Sequence, residues 1–411
     1  MKRLGKRGVK IAEKVLVFGI AAIFVMLVFA AREARPEVPE LVVKPYGFLR
    51  LDLIYNDSKT NNSQTTMWVS SEDGVNVGQD DKEFVLHPRL TRLGLHVNGG
   101  KVDNSDVTGN LEIDFVTTPN FSESRQAIRL RHAFLKISSG KFSLLAGQTW
   151  DIISPIFPSV NQDTLMWNAG NTGDRRPQLR AGYEHPLGTG KLSIMGGLGL
   201  TGAIDSKDKD LDKNGVRDGE DSGLPNLQAR IGYTRPGFVP RENMVVGIWG
   251  HLAKEEIGEV SARIAGENSF TSNSIGGDVI LPIISLSDEG SLTMRGEIWS
   301  GKNLSDFRGG IGHGININTG EEIKSIGGWL EFLIKVNPEL QVEVGYTVDN
   351  PEDEDLKNGD KTDNTTWYVG GNFKPGGGLL LGIEYINWKT GYKDTPEGTD
   401  NRVNLIAQYN F

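Results

Sequence analysis

The feature that most constrains this chain is a period of two. In Tyr46–Asn56, Leu49, Leu51, Leu53 and Tyr55 alternate with Phe48, Arg50 and Asp52. Successive side chains of a strand point to opposite faces, so one face here is apolar and the other charged. The pattern returns along the chain. Leu93, Leu95 and Val97 oppose Arg92 and His96, and Leu111, Ile113 and Phe115 oppose Glu112 and Asp114. Leu330, Phe332, Ile334 and Val336 oppose Glu331 and Lys335, and Leu379, Leu381, Ile383 and Tyr385 oppose Gly382 and Glu384. Alternating segments of about ten residues, with no helix-length apolar run after residue 31, are the signature of a transmembrane β-barrel.

The connections alternate in length. Short turns fall at Asn98-Gly99-Gly100, Ser139-Gly140, Leu187–Gly190, Asp288-Glu289-Gly290, Asn337-Pro338 and Pro375–Gly377. Long polar loops fall near 57–82, 119–126, 152–174, 204–224, 254–267, 303–324, 350–363 and 390–400. Short periplasmic turns and long extracellular loops are expected of bacterial outer-membrane barrels, whereas a soluble sandwich supplies no reason for the alternation. The expected fold is therefore all-β: an antiparallel transmembrane barrel of about sixteen strands over 45–411. Its last strand, Arg402–Phe411, carries Val403, Leu405, Ala407, Tyr409 and a terminal Phe411 on one face. That ending resembles the C-terminal signal read by the barrel-assembly machinery, which becomes an expected partner together with outer-membrane lipid.

The N-terminus supplies the export route. Lys2, Arg3, Lys6, Arg7, Lys10 and Lys14 precede an uncharged apolar run from Val15 to Ala31, with Val28-Phe29-Ala30 as a cleavage site. This reads as a signal peptide over 1–30, followed by a short periplasmic segment at 31–44. The first 30 residues hold six basic side chains and one acidic one, so their removal takes the formal charge from -9 to -14. So acidic a chain is a poor nucleic-acid binder. Without cysteine it uses neither disulfides nor a lipidated N-terminus.

One stretch stands out from the repeating pattern. Two strands, AIRLRHAFLKI and FSLLAGQTWD, meet at Ser139-Gly140, and the second feeds a non-periodic segment over 152–174 before PQLRAGYE returns. A loop that long without its own periodicity is usually functional. As the third extracellular loop it is expected to fold inward and narrow the pore. The alternation points Arg50, Arg92, Arg129, Arg131, Arg180, Arg230 and Arg295 inward, and Arg175 and Arg176 follow the segment. Rings of arginine favour anions in a pore. Asp163 and Asp174 are the acids expected to offset them, and Asp52, Glu112, Asp114 and Glu184 are near enough to neutralise others. Inward Glu297, Glu331, Glu343 and Glu384 fall in the second half of the barrel, so opposite walls are expected to carry opposite charge.

A second candidate site is the acidic loop Asp205–Ser222. Asp210, Asp212, Asn214, the Val216 carbonyl, Asp218 and Asp221 take calcium-loop spacing, with Gly215 where the loop must turn sharply. Asp221 replaces the usual bidentate glutamate, and no helix pattern flanks the loop. A structural calcium ion is expected, and a solvated acidic loop tip is the plainer reading. Enzyme signals are thin. Gly197-Leu-Gly199-Leu-Thr-Gly202 matches a dinucleotide fingerprint by letter but precedes no helix pattern. The six histidines lack zinc spacing and there is no G-x-S-x-G elbow. No enzyme activity is expected.

Tyr46-Gly47-Phe48-Leu49-Arg50-Leu51-Asp52, the RLRHAFLKI run at Arg129–Ile137 and Ala146-Gly147-Gln148-Thr149-Trp150 resemble the DcaP-like porins. Phosphate-selective O/P-type porins are close rivals. The resemblance covers residues 45–186 best. It implies a sixteen-stranded trimeric channel taking up small anionic solutes such as dicarboxylates, without the periplasmic coiled coil of some members. The resulting expectation is passive diffusion of small hydrophilic solutes with mild anion preference, as a homotrimer. The runner-up is a specific channel for organic anions or carbohydrates, with Trp150, Trp167 and Trp299 as stacking contacts. A barrel serving adhesion or enzymatic work is the reading from another class.

Overall fold

The computed structural model describes residues 41–73, 81–116, 126–161, 164–204, 218–257 and 259–411. Its main sheet begins β1 (Val42–Asn56), β2 (Glu83–His87), β3 (Arg92–Val102), β4 (Ser105–Asp114), β5 (Arg129–Ser139) and β6 (Phe142–Trp150). It continues β7 (Arg175–Leu187), β8 (Gly190–Gly199), β9 (Asn226–Pro236), β10 (Asn243–Glu256), β11 (Ser269–Ser285) and β12 (Ser291–Lys302). A small separate hairpin, β13 (Ile315–Asn316) and β14 (Glu321–Glu322), interrupts it. The sheet then resumes with β15 (Lys324–Lys335), β16 (Leu340–Pro351), β17 (Lys361–Gly376), β18 (Leu379–Tyr392) and β19 (Thr395–Asn410). Among the described residues, two short α-helices, α1 (Asp218–Asp221) and α2 (Glu259–Ala265), sit in long loops.

Neighbours in sequence pair antiparallel, and β1 closes the ring on β19 from Phe48↔Asn410 to Tyr55↔Val403. The upper half of β1 pairs with β2 (Asp52↔His87) and the lower half with β3 (Phe48↔Arg92). These two are one stave broken near Pro88, which has no N–H to give a ladder. The barrel therefore has sixteen staves. Closure leaves no open edge, the condition for strands to cross a bilayer.

The alternation lies as the sequence predicts. Leu49 and Leu51 are 56% and 45% exposed on the outside, while Asp52, the next residue along the strand, is 3% exposed. Outward Ile248, Ile275, Ile298 and Ile383 continue that belt around the wall. Two details differ from expectation. β1 begins at Val42 rather than at 45. The last connection is not a long loop over 390–400: β18 reaches Tyr392, β19 starts at Thr395, and Asp394 turns the chain with φ 60. Above the bilayer both faces of a strand meet water or polar partners, so these strands continue with no apolar alternation to reveal them. Buried Asp400, for example, accepts from the backbone N–H groups of Asp57 and Ser58.

The interior holds apolar packing as well as charge. Loop residues Val69, Val160, Met166 and Ala169 pack with Tyr368, Ile386 and Trp388 of β17 and β18. Ile153, Leu304 and Phe307 pack with Trp249 and Trp299 of β10 and β12. Burying a large apolar side chain contributes about 1.5–3 kcal/mol, which is how polar loops acquire fixed positions.

Candidate functional site

The stretch between β6 and β7 takes its hydrogen bonds from distant staves. The Ile152 N–H donates to Gln228 Oε1 of β9 at 2.7 Å. Ser154 Oγ donates to Glu297 Oε2 of β12, and the Ile156 N–H reaches Glu297 Oε1 at 3.2 Å. Ser159 gives Glu331 of β15 its N–H at 2.7 Å and its Oγ at 2.9 Å. The Asn161 N–H and Nδ2 both donate to Glu384 Oε1 of β18. Arg50 Nη2 of β1 donates to the Asn161 carbonyl at 2.7 Å, and Trp299 Nε1 of β12 to the Gly170 carbonyl at 2.7 Å. Gly170, at φ +112, sits where a Cβ would stand 2.2 Å from the Gly328 carbonyl oxygen. Only glycine brings the segment that close to the wall.

Most of the arginines are held by acids. Arg50 forks onto Asp52 of the same strand face. On β5 the ladder to β4 slips between Glu112↔His132 and Ile113↔Leu130, leaving Arg131 as an extra residue. Such bulges re-aim side chains. Arg131 reaches Glu112 at 2.7 Å and Asp114 at 2.8 Å, and Arg129 holds Asp114 at 2.8 and 2.6 Å. Arg92 lies 3.5 Å from Glu112 and 5.0 Å over the Phe48 ring. Arg230 pairs with Asp278 at 2.9 and 2.6 Å. Arg295 donates to Ser159 Oγ and the Phe157 carbonyl and lies 3.5 Å from Glu331. Arg180 donates to Gln178 Oε1 and the Trp150 carbonyl.

Arg176 has a different place from the others. It is fully buried, with Asp151 at 2.6 Å, Asp306 at 2.7 Å and the Phe307 ring 4.1 Å from its guanidinium carbon. It joins both ends of the segment to the 303–323 loop. Arg175 lies 4.3 Å over Trp150 and 3.4 Å from Asp174. Asp174 also accepts from Arg308 Nε at 3.0 Å, and Arg308 lies 5.0 Å over Trp167. Burial pushes the Asp174 carboxyl up, but the Arg308 and Arg175 guanidiniums outweigh it and hold the group below the usual carboxylate range.

Arg308, Asp151 and Asp306 went unmarked in the sequence, because loop residues carry no periodicity to orient them. The three tryptophans are not equivalent stacking contacts. Trp299 is buried and bonded to Gly170, and Trp167 is buried against the two arginines, so neither offers an open ring. Trp150 remains partly exposed beside Phe157, with ring centroids 4.5 Å apart. Asp163 lies outside the described residues, as do residues 1–40 and the calcium-loop positions Asp210, Asp212, Asn214 and Val216. Asp218 and Asp221 begin and end α1. Among the described residues, no group of three or more His, Asp or Glu is placed to hold a metal.

No protein-family model matches the chain, and no curated protein matches it by sequence. Solved structures match along most of its length. The outer membrane channel DcaP of Acinetobacter baumannii is 20% identical with a TM-score of 0.69, over 92% of this chain and 99% of that one. An anion-selective porin from Comamonas acidovorans is 13% identical with a TM-score of 0.56, over 90% and 100%. The trimer form of OmpT, an outer membrane protein of Vibrio cholerae, is 13% identical with a TM-score of 0.54, over 90% and 99%. At these identities the likeness is one of fold. The chain has the fold of the DcaP-like porins, a barrel architecture of the bacterial outer membrane.

Proposed function

We propose that this chain is an outer-membrane porin through which small hydrophilic solutes diffuse passively, with a mild preference for anions. The 151–174 segment lies across the lumen and narrows it. The observation that carries this reading is an asymmetry of exposure. The Arg92, Arg129, Arg295 and Arg308 side chains keep 25%, 26%, 19% and 28% of their surface open. Their partners Glu112, Asp114, Glu331 and Asp174 keep 8%, 0%, 0% and 9%. A passing ion thus touches guanidinium more than carboxylate, although the pairs nearly cancel in formal charge. Glu297, Glu331 and Glu384 on the far staves are capped by donors of the segment, so the acidic wall is covered. Near cancellation makes the preference mild, and low-dielectric walls keep it from vanishing.

In planar bilayers the reconstituted protein is expected to open in ion-sized steps, with reversal potentials under a KCl gradient on the anion side. Silent membranes would end the porin reading, and a cation preference would end the charge assignment. Removal of residues 1–30 on export and assembly as a homotrimer belong to the same proposal. The runner-up, a channel specific for organic anions or carbohydrates, is supported by the half-open Trp150 face beside Phe157 and Arg175. The acidic loop is proposed to hold a structural calcium ion, on its ligand spacing alone. Terbium luminescence that calcium competes away, and that Asp210→Asn with Asp212→Asn abolishes, is the expected result; emission unchanged in that variant would refute it.

A further inference from the structure

Two loops meet through backbone that ordinary residues avoid. Leu165, Met166 and Asn168 on the 151–174 segment have φ of 49, 62 and 59, and Arg308 and Ile311 on the 303–323 loop have φ of 58 and 51. Left-handed conformations are uncommon outside glycine, and a β-branched residue there is an outlier. Such residues gather where surrounding structure holds them for a purpose. The junction is tightly tied: the Asn168 N–H donates to the Arg308 carbonyl at 2.8 Å, and the Gly173 N–H to the Phe307 carbonyl at 2.7 Å.

The product of that strain is the position of one side chain. Arg308 lies over the buried Trp167 ring and gives its Nε to Asp174, which also holds Arg175. The Arg308 side chain is the most exposed of the arginines paired at the site. With Nε committed to Asp174, its terminal amino groups remain as a planar pair of donors, the geometry that takes an oxyanion in two parallel hydrogen bonds. Lysine has the charge without that geometry.

We propose that Arg308 is a solute-contacting determinant of selectivity, a guanidinium delivered by the 303–323 loop and aimed by Asp174 and Trp167 at oxyanions of the carboxylate or phosphate class. Asp174 is the positioning residue, and it also sets how much of the positive charge a solute meets. The inference rests on the anion-preferring porin reading above and adds a residue from a second loop to its selectivity.

The test uses the full-length protein in planar bilayers, with Arg308→Gln, Arg308→Lys and Asp174→Asn beside the parent. Arg308→Gln is expected to lower the chloride-to-potassium permeability ratio about twofold in 0.1 M salt, the opposite weights on the two ions of one unit charge roughly 9 Å away in water, screened over a Debye length of about 10 Å. Asp174→Asn is expected to raise it by a similar factor. Arg308→Lys is expected to keep the chloride ratio while weakening block of the chloride current by acetate and by inorganic phosphate. Loss of acetate block alone assigns the site to carboxylates, and loss of phosphate block alone to phosphate. A merely structural role would change open-channel noise in all three variants without moving the ratio in opposite directions. If the parent prefers anions and Arg308→Gln leaves the ratio unchanged, this inference falls while the porin reading stands. If the parent prefers cations, the porin charge assignment itself falls. Should Arg308→Gln fail to fold, the other two variants decide the question: a raised ratio in Asp174→Asn with weakened block in Arg308→Lys supports the inference, and an unchanged ratio with intact block overturns it.

Discussion

Replacing Arg176 with methionine is expected to destabilise the neck of the 151–174 segment by on the order of 3–5 kcal/mol, the usual cost of leaving a buried charge without its partner. Two carboxylates are stranded, since Asp151 and Asp306 both lean on this guanidinium and all three side chains are at most 1% exposed. The damage extends to a third loop, because Asp306 also accepts from the Gly202 and Ile204 N–H groups at 2.9 and 3.0 Å. Arg176 keeps its place in the β6–β7 ladder opposite Thr149 through its backbone, which the substitution leaves intact, so the barrel stays closed and the loss appears as local opening. Limited proteolysis should nick the segment far faster than in the parent, and single-channel traces should become noisy. Arg176→Met combined with Asp151→Asn and Asp306→Asn should recover most of the resistance, because no unpaired charge is left inside. Resistance equal to the parent in the single variant would mean that the apolar packing around Ile153 and Phe307 holds the segment unaided.

The second large effect is expected from Arg129→Gln with Arg131→Gln. The pair faces Asp114 and Glu112, so the cluster's formal charge falls from zero to -2 while the acids stay in place. The mild anion preference proposed above should give way to a cation preference. The change in permeability ratio should be on the order of tenfold at 0.1 M salt, shrinking toward 1 M as the Debye length falls. Adding Glu112→Gln and Asp114→Asn removes the excess and should return the ratio most of the way. An unchanged reversal potential in the double variant would mean that ions do not pass this wall.

These two results depend on different kinds of information. Arg129 and Arg131 can be read from the chain, because β5 alternates clearly enough to say which way Arg129 points. Their neutralisation by Glu112 and Asp114 is also readable, since those acids alternate inward on the preceding strand. Two positions apart, the two arginines share a face by the period of two; what the hydrophobic pattern does not show is the bulge at Arg131, which sets His132 opposite inward Glu112 beside them. The Arg176 triad was not readable. Its three members are separated by up to 155 positions, and two of them lie in loops. Arg308 is the extreme case, a lone arginine in a polar stretch whose role comes from a neighbour in another loop.

What the sequence determined by itself is the barrel: the strands, the faces they turn to lipid and lumen, the short and long ends apart from the β18–β19 connection, and the stave count. Each follows from a local rule, that side chains two apart share a face and that every backbone polar group inside a bilayer must find a partner within a closed sheet. Only the tertiary structure decided how the loops fill that barrel. It capped Glu297, Glu331 and Glu384 with the donors of one segment, buried Trp167 and Trp299, extended β18 and β19 past the expected loop, and set Arg308 beside Asp174. Those contacts join residues far apart in the chain, where hydrophobic period says nothing. Their energies come from particular hydrogen bonds and ring contacts that exist only after the ring of strands has closed.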